Sequence, residues 1–267
     1  IYTPITPPNL LKPMAQESIY LLGGHFAILC QFAHPALAEG SYKHSNFAGR
    51  IMNRLQTTAR FLNAAVFGTP REQSAIFAAI HEKHALVRGD AYSADDPELH
   101  KWTAATLFVA LVVVHEAFFG PLEAERTEAL YKEAAVYGTS LRMPPELWPP
   151  SLAAFWSYWD AQVAELVVTP YAKSLARDLM YPRNMPWWYG PGAPVARLLT
   201  GFWLPERFAV EYGLGRGWGR RRAYGGVVRV VSGVYGRVPG RWRTKPHRVY
   251  MEDLRKAVGR LEGGGGW

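Results

Sequence analysis

Residues 103–119, TAATLFVALVVVHEAFF, constrain this chain more than any other stretch. A helix built from them is apolar around almost its whole circumference, so no face of it is suited to water. The run is short for a membrane span, which takes about 20 residues, and it carries His115 and Glu116 near its end. It reads as a helix buried at the centre of a protein, with other helices wrapped round it. Asp96-Pro97 supplies its start and Gly120-Pro121 its stop.

The rest of the chain offers that wrapping. Gln16 to Ala38 is dense in apolar residues and reads as a buried helix, bent or broken at Gly23-Gly24 and His34-Pro35. Residues 45–68 read as a helix ended by Gly68. Residues 69–89 read as one helix opened by Thr69-Pro70 and stopped by Gly89, and 122–138 as an amphipathic helix stopped by Gly138. Pro149-Pro150 breaks the next segment, a helix resumes at Ser151, and Thr169-Pro170 opens another. Strand-like alternation is nearly absent, and GGVVRVVSGVYG (225–236) is the one ambiguous piece. The expectation is an all-α fold, a single multi-helix globular domain over 1–267. Its parts are a proline-rich lead-in at 2–9, a core over 15–215, a basic segment over 216–248 and a frayed end at 263–267.

Composition narrows the class. With 49% hydrophobic and 19% charged residues the chain is globular and not disordered. Ten tryptophans and fourteen tyrosines fit large apolar pockets or plain core. The single cysteine, Cys30, excludes an intrachain disulfide, sits in an apolar run as a small buried hydrophobe, and suits a reducing, intracellular compartment. The chain begins at Ile1 without methionine, which leaves room for an upstream segment, and no signal peptide is visible in it. The net charge of +8 is concentrated: residues 216–248 hold ten Arg and Lys and no acid, so the remainder sums to 8 − 10 = −2. A general nucleic-acid surface is not needed. Two readings of the basic segment stay open: a last helix packed on the core by its valines, or a cationic, aromatic face against an anionic membrane.

The common catalytic signatures, G-x-S-x-G, paired C-x-x-C, the P-loop, G-x-G-x-x-G and H-E-x-x-H, are missing. Histidines and arginines on helices remain. In HEKHALVRG (81–89), a continuous helix would put His81, His84 and Arg88 on one face within about 60°. Imidazole with guanidinium suits a haem, the first as iron ligand and the second against a propionate. A non-haem metal held by His81 and His84 is the other reading, but that face lacks a carboxylate, Glu82 pointing elsewhere. A second constellation, Arg54, Thr57 and Thr58, has i, i+3, i+4 spacing. It is either a polar cluster over a cofactor or a surface arginine with threonines bonding back to their own helix.

Several stretches carry a resemblance: GGHFAILCQFAHPALAEGSYKHSNF, RLQTTARFLNAAVFG, HEKHALVRGDAYSADDPELHKWTAATL and LPERFAVEYGL, in this order. Over about residues 15–248 the chain resembles the haem-dependent oxygenases comprising the latex clearing proteins (rubber oxygenases) and the mycophenolic-acid-pathway oxygenase MpaB. The resemblance implies a helical domain enclosing haem b, globin-like in its packing, with His84 as iron ligand and Arg88 the matching arginine of H-x-x-x-R. An arginine expected three residues before the ligand is His81 here. The distal R-x-x-K-T pattern becomes Arg54-Leu55-Gln56-Thr57-Thr58, so threonine replaces a lysine that can cap the iron. Glu39 is the nearest counterpart of a glutamate assigned as a base, and Ala104 stands where many members have histidine.

The activity implied by this resemblance is that of a haem b-dependent oxygenase, which uses O₂ to cleave a C=C bond of an apolar, isoprenoid-like substrate to carbonyl products. Arg54, Thr57, Thr58 and Glu39 are its candidate catalytic residues, and His84, Arg88, His81 and Arg54 its candidate cofactor contacts. The missing lysine keeps another oxidation, such as hydroxylation in a biosynthetic pathway, and a haem-binding protein without turnover as alternatives.

Overall fold

The long apolar helix is the axis of the structure. The computed structural model describes residues 8–45, 49, 51–90, 92–182 and 187–264. Helix α6, Pro97–Phe119, begins where the Asp96 side chain accepts from the Glu98 N–H and ends at Gly120, whose φ of 89° few other residues adopt. Its buried residues lie all round it, including Leu99, Trp102, Ala105, Phe108, Val112, Val114 and Phe118. By length and composition it could cross a membrane. Its surroundings are instead helices of the same chain, and His115, its awkward polar residue, meets the Tyr20 hydroxyl at 2.8 Å.

The N-terminal half of the sheath comprises α1 (Leu11–Gln16), a 3₁₀ turn (Ser18–Gly23), α2 (Gly24–Ala33) and α3 (Pro35–His44). The break expected at His34-Pro35 is there, as a bend of 101° between the two apolar segments. Gly23 lets this wall touch α6, since a Cβ on it would lie 3.1 Å from Val114 and 3.2 Å from Ala110. Buried Glu133, on the neighbouring helix of residues 124–134, accepts the backbone N–H groups of Leu10 and Leu11 at 2.7 Å each. Cys30 is fully buried, and its carbonyl accepts from Trp102 Nε1 at 3.0 Å.

Beyond these lie α4 (Ile51–Phe67) and α5 (Pro70–Ala85), joined at Gly68. A Cβ on Gly68 would fall 2.6 Å from the Ala64 carbonyl, so the glycine does end α4. Thr69 and Glu72 then form a reciprocal capping box for α5. After α6 come α7 (Ala124–Ala134), α8 (Val136–Thr139), α9 (Leu152–Glu165), α10 (Pro170–Met180), α11 (Ala193–Trp203) and α12 (Glu206–Glu211). Ser151 and Thr169 cap α9 and α10 as the sequence indicates. The chain closes with α13 (Trp218–Tyr235), α14 (Gly240–Arg243) and α15 (Lys245–Glu262). The fold is all-α, with one two-residue hairpin among the described residues.

One open reading is settled and two sequence expectations need correction. The ambiguous stretch is helix to Tyr235: Tyr224, Val227, Val228, Val231 and Tyr235 fall at helical spacing and pack on the core. Gly138 does not stop the helix begun near 122, which gives out at Ala135. It lies inside α8, where a Cβ would meet Met143 Cε at 2.7 Å, so it serves close packing. The helix expected over 69–89 ends early, at Ala85. The lead-in at 2–9 is described only from Pro8, and the frayed end at 263–267 only to Gly264.

Helix α15 binds α4 and α5 together. Leu254, Ala257 and Val258 meet Ala64 and Ile76 in a small second core. Beside it Arg60, its side chain 9% exposed, makes a two-pronged contact with Asp253, at 2.6 and 3.2 Å. Asp253→Asn removes the carboxylate charge that this nearly buried guanidinium contacts, and is expected to lower unfolding free energy by about 1–3 kcal/mol. Arg255→Ala, which removes an exposed guanidinium from its contact with Glu72 at 3.3 Å, is expected to change it by under about 0.5 kcal/mol. Urea unfolding of both variants checks the contrast.

Candidate functional site

The end of α5 decides which polar groups meet. The helix stops at Ala85, where the N–H groups of Leu86 and Val87 turn back to the Lys83 and His84 carbonyls. The chain then forms a hairpin, β1 (Arg88–Gly89) against β2 (Tyr92–Ser93). Arg88 therefore leaves the helix, and the expected single face of His81, His84 and Arg88 keeps only the two histidines. Arg88 is exposed on the hairpin. Gly89 is no helix stop. A Cβ there would come within 2.4 Å of the Tyr92 ring, whose other edge faces Gly40. The Tyr92 hydroxyl reaches His44 Nε2 at 3.1 Å.

The hairpin swings residues 94–96 back over α5, and α6 starts from there. The result is a cluster of His84, Asp95 and His100, one donor atom from each lying within 4.8 Å of the other two. The imidazoles of His84 and His100 stack with centroids 6.0 Å apart and planes at 30°. His100 is 4% exposed. Its Nε2 lies 2.9 Å from the Ala94 carbonyl, which only accepts, so Nε2 carries the proton and Nδ1 keeps a lone pair. That Nδ1 is buried with no hydrogen-bond partner. Burial above all lowers the His100 pKa. Burial likewise holds His84 at about 4, with His100, His81 and Arg54 pushing the same way and Asp95 opposing. Both imidazoles are neutral at pH 7.

His81 stands behind the carboxylate. Its Nδ1 lies 3.3 Å from Asp95 Oδ1, and its Nε2 meets Arg142 Nη1 at 2.5 Å. A guanidinium only donates, so Nε2 accepts and Nδ1–H faces Asp95. Arg142 takes φ of 71°, the one described non-glycine residue in the left-handed region, a conformation that needs compensation from its surroundings. A guanidinium from a distant turn thus stands beside the position where the resemblance expected one.

Of the other expected site residues, Arg54 alone acts on His84. Arg54 is desolvated, which lowers its pKa, and donates from Nη1 to Ser45 Oγ at 3.1 Å. It acts electrostatically on His84. Thr57 turns its hydroxyl back onto the Arg54 carbonyl at 3.0 Å, and Thr58 is exposed. Glu39 is paired with Lys43 at 2.6 Å. Asp95, His100 and Arg142 were missed by sequence reasoning. The one signal available was a carboxylate and an imidazole flanking the helix start in YSADDPELH.

Comparison with known proteins agrees with the resemblance. Residues 11–233 match the family described as ER-bound oxygenase mpaB/B'/Rubber oxygenase, catalytic domain. An uncharacterized protein of Mycobacterium tuberculosis and one of Mycobacterium bovis are each 28% identical to the chain over 239 residues, which is 85% of this chain and 93% of theirs. No solved structure matches.

The buried imidazoles set a pH dependence. His84 and His25 are both held near 4 by burial, below the unfolded value of 6.5. Between those values the unfolded chain binds more protons, so stability rises with pH. Their contribution is complete above about pH 6.5 and lost as pH falls through 4. The urea midpoint is expected to drop between pH 7 and pH 4.5, and to drop less in His84→Gln. Equal pH profiles for the two proteins would contradict the assigned burial of His84.

Proposed function

The chain belongs to the mpaB/rubber oxygenase family, and from that membership we propose a haem b-dependent oxygenase that cleaves a C=C bond of an apolar, isoprenoid-like substrate with O₂, giving carbonyl products. The observation that carries this reading is His84, a desolvated imidazole whose pKa near 4 leaves its lone pair free at neutral pH. The residues present fit a haem: a neutral nitrogen ligand, a desolvated guanidinium nearby in Arg54, and exposed Arg88 for a propionate carboxylate. When bound, haem supplies the activation of O₂ that no side chain provides.

The protein's own part is holding and orienting. His84 is the ligand. Arg54, held by Ser45, offers a fixed positive charge to oxygen atoms that gain negative charge during reaction. Thr57, bonded back to its own helix, presents no amine to the iron. Glu39 serves as a base only if it leaves Lys43. The substitution of threonine for lysine favours one second reading, an oxidation such as hydroxylation with the same cofactor.

The test is spectroscopic first. Purified protein should show a Soret band and a pyridine haemochrome of haem b, and His84→Ala should lose both. Arg54→Ala should keep haem and lose roughly a hundred- to thousandfold in O₂ consumption with an unsaturated isoprenoid. Absence of haem after reconstitution would remove the reading. Haem without consumption of O₂ would reduce it to binding.

Peripheral contact with an anionic membrane is part of the proposal. One face of α13 packs on the core, while Trp218, Val230 and Val234 are exposed beside Arg220, Arg221, Arg222, Arg229 and Arg237. Each cation near such a surface is worth about 1 kcal/mol. Co-sedimentation with phosphatidylserine vesicles at low salt is expected, and its loss at 0.5 M salt. Equal binding to neutral vesicles would leave α13 as a packing helix alone.

A further inference from the structure

A histidine that ligates iron through one ring nitrogen still carries a proton on the other, and a desolvated ring needs an acceptor for it. The helix that carries His84 supplies none. The structure brings two acceptors to it from outside that helix, the Asp95 carboxylate and the His100 ring, each with an atom within 4.8 Å of a His84 ring nitrogen. Both arrive through the reversal of the chain after Arg88.

Of the two, Asp95 is the stronger acceptor and the better held. His100 gives its Nε2 proton to the Ala94 carbonyl at 2.9 Å, and its Nδ1, a neutral acceptor, makes no hydrogen bond. A hydrogen bond to an ionised carboxylate is roughly twice as strong as one between neutral groups. Asp95 is also the one anion that acts on His84. Its backbone is fixed as the hairpin ends: the Ala94 N–H bonds to the Val87 carbonyl at 2.9 Å, and the Asp95 N–H to Ser93 Oγ at 3.3 Å. Its Oδ1 lies 3.3 Å from His81 Nδ1, and His81 is held from behind by Arg142 Nη1 at 2.5 Å. A carboxylate has two oxygens, so Asp95 can serve His81 and His84 together. The left-handed backbone of Arg142 is a conformation the fold must sustain at some cost for that contact to exist.

We propose that Asp95, oriented by His81 and Arg142, is the positioning residue of the iron ligand: its carboxylate takes the His84 ring proton that the iron does not replace. The role rests on the haem reading of His84 and adds what holds that ring. Iron and Asp95 use opposite nitrogens of one imidazole, so each leaves room for the other. A carboxylate in this place fixes the tautomer and orientation of the ring and makes the ligating nitrogen more basic, which favours ferric over ferrous iron.

Two measurements on the full chain test this. In haem-free protein at pH 7, long-range nitrogen–proton NMR correlations of the imidazoles should show His84 in a single tautomer. Asp95→Ala should give a mixture of both tautomers, while Asp95→Asn, whose amide oxygen still accepts, should keep the single one. In haem-loaded protein, both variants remove the carboxylate charge. The ratio of ferrous to ferric iron at a fixed potential should therefore rise about tenfold in each, a shift of about 59 mV for one electron. His81→Ala should move the ratio the same way by less, and His247→Ala, bonded to Asn63 away from the site, should leave it unchanged. Circular dichroism confirms that each variant is folded. A single His84 tautomer that persists in folded Asp95→Ala, or that is lost in His100→Ala instead, overturns the proposal, as does an unchanged potential in the Asp95 variants. A chain that takes up no haem would remove the haem reading, and the tautomer measurement would still decide whether Asp95 holds His84.

Discussion

The structure depends on the burial of α6. A helix that is apolar all round has no favourable position until other helices cover every side, so the order of packing is dictated from the inside. Small residues set how closely the cover fits: Gly23 against Ala110 and Val114, Gly138 against Ala104. Rotation of the helix is fixed by polar contacts that oil-like packing would not specify. Trp102 donates to the Cys30 carbonyl, and Gln31 to the buried Thr106 hydroxyl at 3.0 Å. Once those are made, the first turn of α6 presents His100 in one direction only.

Local signals were legible in the sequence because their physics is local. Asp96-Pro97, Thr69-Pro70, Ser151 and Thr169 satisfy free backbone N–H groups within three residues of themselves, and all four begin helices where expected. Gly89 and Gly138 misled for the opposite reason. Each looks like a helix stop, yet each exists so that a side chain from elsewhere, Tyr92 or Met143, approaches its backbone. The valine-rich stretch at 225–236 has β-branched composition and helical spacing, and packing against the core decided for the spacing.

The site divides the same way. His84 was found through its sequence neighbours. Asp95 and His100 were not, because only the reversal of the chain at Arg88–Tyr92 brings them over α5, and Arg142 arrives from a turn past α8. The absence of a carboxylate on the helix face carrying His81 and His84 was a correct reading of one helix and a wrong reading of the site. The electrostatic character also emerges only on assembly: burial above all lowers the pKa of both His84 and His100, and Arg54 pushes His84 the same way against the pull of Asp95.

The family match ends at residue 233, two residues short of the end of α13, whereas α15, which brings Leu254, Ala257 and Val258 to the small core and Asp253 to Arg60, lies beyond it. The matched family domain and the mechanics of the fold thus have different borders on this polypeptide. The helices carrying Arg54 and His84 are clasped by a segment with no counterpart in the matched region. Change in that outlying segment can therefore retune the spacing of α4 and α5 while leaving the inherited motifs letter for letter intact, a route to divergence among relatives that motif comparison does not see.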